Sequence, residues 1–317
     1  MKFSTEVVVP ELKNKISYQS KIVSLGSCFA VNMSDNFKRF QFQHGVNPFG
    51  ILFHTQALAN LFEFANSDKV FDESDIFYHN EIWSSFDAHS DMNELEPIAM
   101  LLKLNQQIRT FKSDLKQASH LIITLGTAWV YEHIDSKKIV ANCHKVPQKN
   151  FTKKLMSVAQ ICKNLEQMVT IAEQLNPNIQ CIFTISPVRH AKDGFIENQC
   201  SKAHLIAALH EFLGQQKKHY YFPAYEIIMD ELRDYRFYDT DLLHPNAIAL
   251  QYIWEKFLTR CIEPNAHATL KLVDDVQKAL AHRPFNPYSE QHNKFLEQLA
   301  TKLDRLLAQY PFMNFRP

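Results

Sequence analysis

Cys28 stands where a thiol can serve as a nucleophile. It follows Gly26-Ser27 at the end of an apolar run, Ile22, Val23 and Leu25, and opens a stretch in which Phe29, Met33 and Phe37 recur every four residues. That pattern predicts a buried strand turning sharply into a helix. The turn sits at the helix N-terminus, where free backbone N–H groups and the positive end of the dipole favour an anion. A cysteine there tends to a lowered pKa and a more available thiolate. The structural alternative is a small buried residue at a glycine turn, the commoner fate of a free cysteine. Late in the chain stands Asp241-Leu242-Leu243-His244-Pro245. An Asp three residues before a His can set its carboxylate against one imidazole nitrogen and aim the other at a nucleophile. Nucleophile, base and orienter are the parts that acyl transfer requires. In a chain with 15 histidines a DxxH alone is a weak signal; its position, just before a helix late in the chain, gives it value.

The elements that must position these residues alternate. His120 to Gly126 and Cys181 to Ser186 are further continuous apolar runs ending at Gly126-Thr127 and Ser186-Pro187, and Tyr220 to Phe222 is a fourth strand candidate. Between them, helices are predicted over Thr55–Ala65, Leu95–Leu115, Lys153–Leu175, Asn198–Gln215 and Pro245–Thr259, the last with Pro at its first position. Glu6–Val9 reads as an edge strand, and Ile76–Asp87, Trp129–Tyr131 and Lys138–Ala141 as extended pieces. Continuous apolar strands alternating with helices imply an α/β fold, a three-layer sandwich around a mainly parallel sheet. In such sheets functional groups gather beyond the carboxyl ends of the strands, which is where Cys28, Thr127 and Pro187 fall. Leu296, Leu299, Leu303, Leu306 and Tyr310 form a packed-helix stripe, so the chain divides into an α/β domain over 1–264 and a C-terminal helical extension over 265–317 packed on it. Cys162 belongs to the core stripe of the Lys153–Leu175 helix.

Composition narrows the function classes. Lys+Arg and Asp+Glu balance at 34 each, so no net field points to nucleic acid or an anionic membrane. No apolar window is long enough for a membrane span, and the N-terminal stretch lacks a signal-peptide h-region. The six cysteines lie far apart with no CxxC pair, which suits reduced thiols in a cytoplasmic protein rather than a zinc ribbon or disulfide framework. A metal site from His89, Cys143 and His144 lacks a supporting i,i+4 His pair with a Glu. The sequence calls for no metal and no cofactor.

Gly26-Ser27-Cys28-Phe29-Ala30 is the pentapeptide of the GSCFA-domain proteins, a group that resembles a branch of the SGNH (GDSL-type) hydrolases. The resemblance extends through Asn47-Pro48-Phe49-Gly50, Leu125-Gly126-Thr127, Asn142-Cys143-His144, Ser186-Pro187 and Asp241 with His244-Pro245. It implies an SGNH/flavodoxin-like sandwich with Cys28 in the nucleophilic serine's place, His244 as base and Asp241 as orienter. Ser27, one residue out of register, is the alternative nucleophile, and Asp239 an alternative orienter. In that superfamily the oxyanion is held by the nucleophile's own N–H, a Gly and an Asn. Gly50 can fill the Gly place, while the position two after Gly126 is Ala128, which has no side-chain donor. Thr127, His89 or Asn142 would have to substitute. Two functions follow: an acyl hydrolase or acyltransferase acting on a small-molecule or glycan-linked ester, or a catalytically decayed module of the same scaffold that binds a glycan or small ligand.

Overall fold

The central sheet is built from strands whose side chains all find cover. In the computed structural model, which describes residues 5–315, β1 (Lys21–Gly26) runs into α1 (Cys28–Arg39), followed by β2 (Gln43–Val46) and α2 (Thr55–Asn66). Residues 1–4, the head of the stretch read for a signal peptide, and residues 316–317 of the tail lie outside the described residues. A hairpin of β3 (Phe77–His79) and β4 (Ile82–Ser84) precedes α3 (Pro97–Gln117) and β5 (His120–Leu125). Next come β6 (Trp129–His133), β7 (Ile139–Val140) and β8 (Phe151–Leu155), which form a small antiparallel sheet of their own. The remaining elements are α4 (Val158–Leu175), β9 (Gln180–Ile185), α5 (Phe195–Gln215), β10 (Tyr220–Tyr221), the single turn α6 (Ala224–Glu226), α7 (Ala247–Cys261), α8 (Ala266–Ala281) and α9 (Glu290–Gln309).

The five strands of the main sheet are all parallel and run in the order β10-β9-β5-β1-β2. Successive side chains on a strand point to opposite faces, and the two apolar clusters follow that alternation. Val23, Leu25, Leu121, Ile123, Cys181 and Phe183 face a core closed by α2, α3, α4 and α5. Ile22, Ile122 and Ile182 face a second core closed by α1, α7, α8 and α9. Helices on both faces of a parallel sheet make the three-layer α/β sandwich, with helices at its C-terminal end. The chain leaves β1 for β2 on one side and enters β5 on the other, so the switch of direction, where a crevice opens in such sheets, falls between β1 and β5.

Four local expectations change. Residues 6–9 form no strand: Val9 is buried as coil and the Val7 N–H donates to Glu231 Oε2 at 3.1 Å. The polar stretch Gln43–Val46 does form one, because it sits at the sheet edge, where one side needs no apolar partner. The helix predicted from Lys153 begins at Val158. Ser157 and Gln160 form a reciprocal capping box there, and Phe151–Leu155 is taken up by pairing with β6. Asn246 caps α7 by accepting from the Ile248 and Ala249 N–H groups, so Pro245 lies outside the helix.

Candidate active site

Gly26 makes the turn into α1 possible. Its φ is +124°, and a Cβ there would lie 2.0 Å from the carbonyl oxygen of Thr124 on β5; only glycine allows the two backbones to approach so closely. The Ser27 N–H then donates to that same carbonyl at 3.2 Å, and the Gly26 N–H donates to Asn47 Oδ1 at 2.8 Å. Cys28 follows as the first residue of α1, half-buried. The helix N-terminus does act on the thiol, since the Phe29 and Cys28 N–H groups both favour its charged form. The net shift is nevertheless upward: loss of water around the half-buried sulfur outweighs those amides and the nearby charge of Lys202. The lowered pKa expected from position alone is therefore not found. Ser27 is fully buried, its hydroxyl without a partner among the described residues.

Asp241 and His244 come together as the spacing implied. His244 Nδ1 donates to Asp241 Oδ2 at 2.5 Å, while Asp241 Oδ1 accepts the Leu243 and His244 backbone N–H groups, each at 2.9 Å. Those bonds, the His244 backbone N–H foremost and its ring next, hold the Asp241 carboxyl down at about 2. Leu242 takes a φ of +59° to close the loop, and Arg189, from the segment after β9, donates to its carbonyl at 3.2 Å.

The loop lies at the same end of the sheet as Cys28. The last residues of α7 are tied to the segment that enters β1: the Leu12 and Ile16 N–H groups donate to Arg260 and Cys261, and the Glu263 N–H to Ile16. His120, at the start of β5, reaches the Asn14 carbonyl from the same side. The far end of α7, preceded by His244, therefore points to the carboxyl ends of the strands. Phe37 of α1 packs edge-on against Trp254 and Phe257 of α7, so the two helices run side by side.

Of the oxyanion candidates, the Gly50 N–H is given to the Asn47 carbonyl at 2.8 Å, and the Gly126 and Thr127 N–H groups to Phe53 at 2.9 and 3.0 Å. The Thr127 hydroxyl is engaged with Ser201 and accepts the Trp129 N–H. His89 packs under Gly50, whose added Cβ would meet it at 2.5 Å, and its Nδ1 lies 3.0 Å from Asp91 Oδ2. Asn142 accepts the His144 N–H through Oδ1, leaving its amide N–H₂ without a partner among the described residues. Asn142 and Thr127 line a cavity of about 300 Å³ beyond β5, walled by Phe53, Trp129, Tyr131 and His190. The donors left beside the thiol are the amides of Cys28 and Phe29. His144 is an internal strut: its buried Nε2 donates to Ser85 and Ala88. Among the described residues no group of three or more His, Cys, Asp or Glu could hold a metal ion, and no helix is long and apolar enough to cross a membrane.

Sequence reasoning missed two residues. Lys202 of α5 is 1% exposed, and its Nζ donates to the Gly126 carbonyl at 2.8 Å and the Ser186 carbonyl at 2.7 Å. Burial pulls its ammonium down to about 7, while the Cys28 charge pushes it back up. His190 is held down at about 4, chiefly by burial and then by Lys202, and it also feels His244. A signal for Lys202 was present: Asn198, Lys202, Leu205 and Leu209 recur at helical spacing on the buried face of α5, an odd place for a lysine.

These features occur in a chain that belongs to the GSCFA family, whose model matches residues 21–257; the model described as GSCFA domain protein, C-terminal domain, matches residues 273–317. No curated protein matches the chain. Among solved structures, it is similar to a carbohydrate esterase family 3 from Talaromyces cellulolyticus, with TM-score 0.37 and 9% identity over 81% of this chain and 99% of that one. It is similar as well to a Clostridium thermocellum family 3 carbohydrate esterase, with TM-score 0.36 and 9% identity over 76% and 95%.

Proposed function

We propose that the protein is an SGNH-like acyl-transferring enzyme, an esterase, thioesterase or acyltransferase, that works through an acyl-enzyme on Cys28. The observation that carries the reading is the Asp241–His244 pair. Its 2.5 Å bond fixes the proton on Nδ1 and, among the described residues, leaves Nε2 without a hydrogen bond, at the end of the sheet where α1 presents Cys28. In this reaction His244 Nε2 takes the Cys28 thiol proton. The sulfur attacks the ester carbonyl carbon, forming a C–S bond. The C–O bond then breaks, and the alkoxide leaves with the proton from His244. Water or an alcohol, deprotonated by the same nitrogen, attacks the thioester and returns the thiol. The amides of Cys28 and Phe29 face the carbonyl oxygen as it becomes negative. The Asn142 cavity takes the remainder of a small-molecule or sugar-linked ester, its aromatic walls covering a ring and its amide holding a hydroxyl.

The test is hydrolysis of an activated short-chain ester. Cys28→Ala and His244→Ala should each abolish turnover at unchanged thermal stability, and unchanged turnover in both would sink the assignment. A second reading has its own support: the Gly50, Gly126 and Thr127 N–H groups are all given to the backbone, and the thiol is shifted upward. Such a site fits a ligand-binding module. Wild-type protein that turns over neither esters nor thioesters, and whose thiol alkylates no faster than free cysteine, would favour it.

A further inference from the structure

Buried charges are paired or they are lost, because taking an ion out of water costs more than a protein can usually offset. Lys202 is buried and, among the described residues, has no carboxylate within ion-pair distance. What it does have is a fixed seat. Its Nζ bridges the Gly126 and Ser186 carbonyls, the residues immediately past β5 and β9. Gly126 is also two positions past Thr124, the register partner of Gly26, just as Cys28 is two positions past Gly26. Lys202 is thus mounted at the level of the thiol, on the neighbouring strand ends. The groups that face it are the two carbonyls, the Tyr225 ring at 5.7 Å, His190 and Cys28. His190 carries only positive charge when it titrates, and burial keeps the Tyr225 phenol protonated. Cys28 is the one neighbour that can become the anion.

We propose that Lys202 is the counter-charge of Cys28: an ammonium pinned between the ends of β5 and β9 that stabilises the thiolate without touching the substrate. It is a positioning residue whose effect passes through the sulfur. Its purpose rests on the acyl-transfer reading above, while its effect on the thiol can be measured without that reading. An ammonium has three N–H donors, of which the two carbonyls take two; the third N–H and the charge are what a neutral side chain could not supply. Lys202 takes no part in the proton transfer: the thiol proton leaves to His244.

The experiment is the pH dependence of Cys28 alkylation by iodoacetamide, followed by mass spectrometry in the full chain. Wild type is compared with Lys202→Met, which keeps the length of the side chain, and Lys202→Gln, which keeps an N–H donor for the carbonyls. Both should raise the apparent pKa of Cys28 by about one unit, so that alkylation at neutral pH slows about tenfold while the plateau at high pH is unchanged. An unmoved pKa in either folded variant overturns the proposal. Should neither variant fold, the coupling is read from the other side. Linkage is reciprocal, so Cys28→Ser should lower the pKa of Lys202, followed through its Nζ resonance, and an unmoved resonance titration overturns the proposal equally. The two readings fail separately. Loss of the pKa effect with ester turnover still dependent on Cys28 removes only the role of Lys202. A clear pKa effect in a protein that turns over no ester removes only the reaction.

Discussion

Replacing Gly26 by alanine tests the turn on which the site is mounted. The new methyl would lie 2.0 Å from the Thr124 oxygen and 2.8 Å from its carbonyl carbon, on a backbone with φ of +124°. The obstacle is main chain in the middle of the sheet, paired to β9 on its other side, so it cannot swing away as a flexible side-chain tip would. Two costs follow. Forcing a non-glycine residue into this conformation costs about 1–3 kcal/mol. Opening β1 from β5 by an ångström also strains the Ser27 and Gly26 N–H bonds to Thr124 and Asn47, each contributing about 1 kcal/mol. Together they come to roughly 3–5 kcal/mol, a large share of an ordinary folding stability. Unfolding entropy of about 2.1 cal/mol/K per residue converts that to a fall in Tm of about 4–8 °C for a chain of this length. The assay is thermal denaturation by calorimetry, with Gly214→Ala as the internal control. Gly214 lies in α5 with nothing within 4 Å of its added Cβ, so alanine there should raise Tm by about 1 °C through helix propensity alone. A Gly26→Ala protein melting within 1 °C of wild type would refute the account of the turn.

Two other outcomes are expected. Asp241→Asn keeps an oxygen for the Leu243 and His244 N–H groups but sets an amide donor against His244 Nδ1–H, which drives the imidazole to the other tautomer and blocks Nε2. Ester kcat should fall by about 10²–10⁴-fold with KM little changed, and a loss below threefold would show that the pair does not act as base and orienter. Stability should decline on acidification. His44, His54 and His190 are each held near 4 by burial, below their unfolded value of about 6.5. Between those limits the unfolded chain binds more protons, so Tm should drop from pH 6.5 toward 4, and a Tm flat from pH 7 to 5 would contradict the burial of these rings.

The strands that bear the site were plain in the sequence because a strand covered on both faces is apolar at nearly every position, as Leu121, Ile122, Ile123 and Leu125 are. Gln43–Val46 was not, since an edge strand of a parallel sheet can be built from polar residues when its register is set by the neighbour. The start of α4 was misplaced because Leu155 fits a helical stripe as well as a strand; the Ser157–Gln160 box, a local signal, decided it. At the site, the Asp241 to His244 contact was legible because three residues of loop allow little else. The direction of the Cys28 shift was not. It depends on how much protein closes over the sulfur, and that comes from elements far away in the chain. Lys202 escaped for the same reason, because its partners, Gly126 and Ser186, lie on two other loops.

The ring of Tyr18 stacks on Phe42 and packs 5.0 Å from that of Tyr310, and Val9, Leu12, Ile16, Met33 and Phe37 share their apolar cluster with Leu299, Leu306 and Met313. One face of β1 and α1 is therefore closed by residues made nearly three hundred positions later. At a translation rate of about 5–20 residues per second, tens of seconds separate the appearance of Tyr18 from that of Tyr310. Through that interval the nascent chain carries an open apolar flank on the very elements that hold Cys28. The support around Cys28 is thus completed only once the distant α9 region has been made, so the order of synthesis leaves that flank exposed in the growing chain.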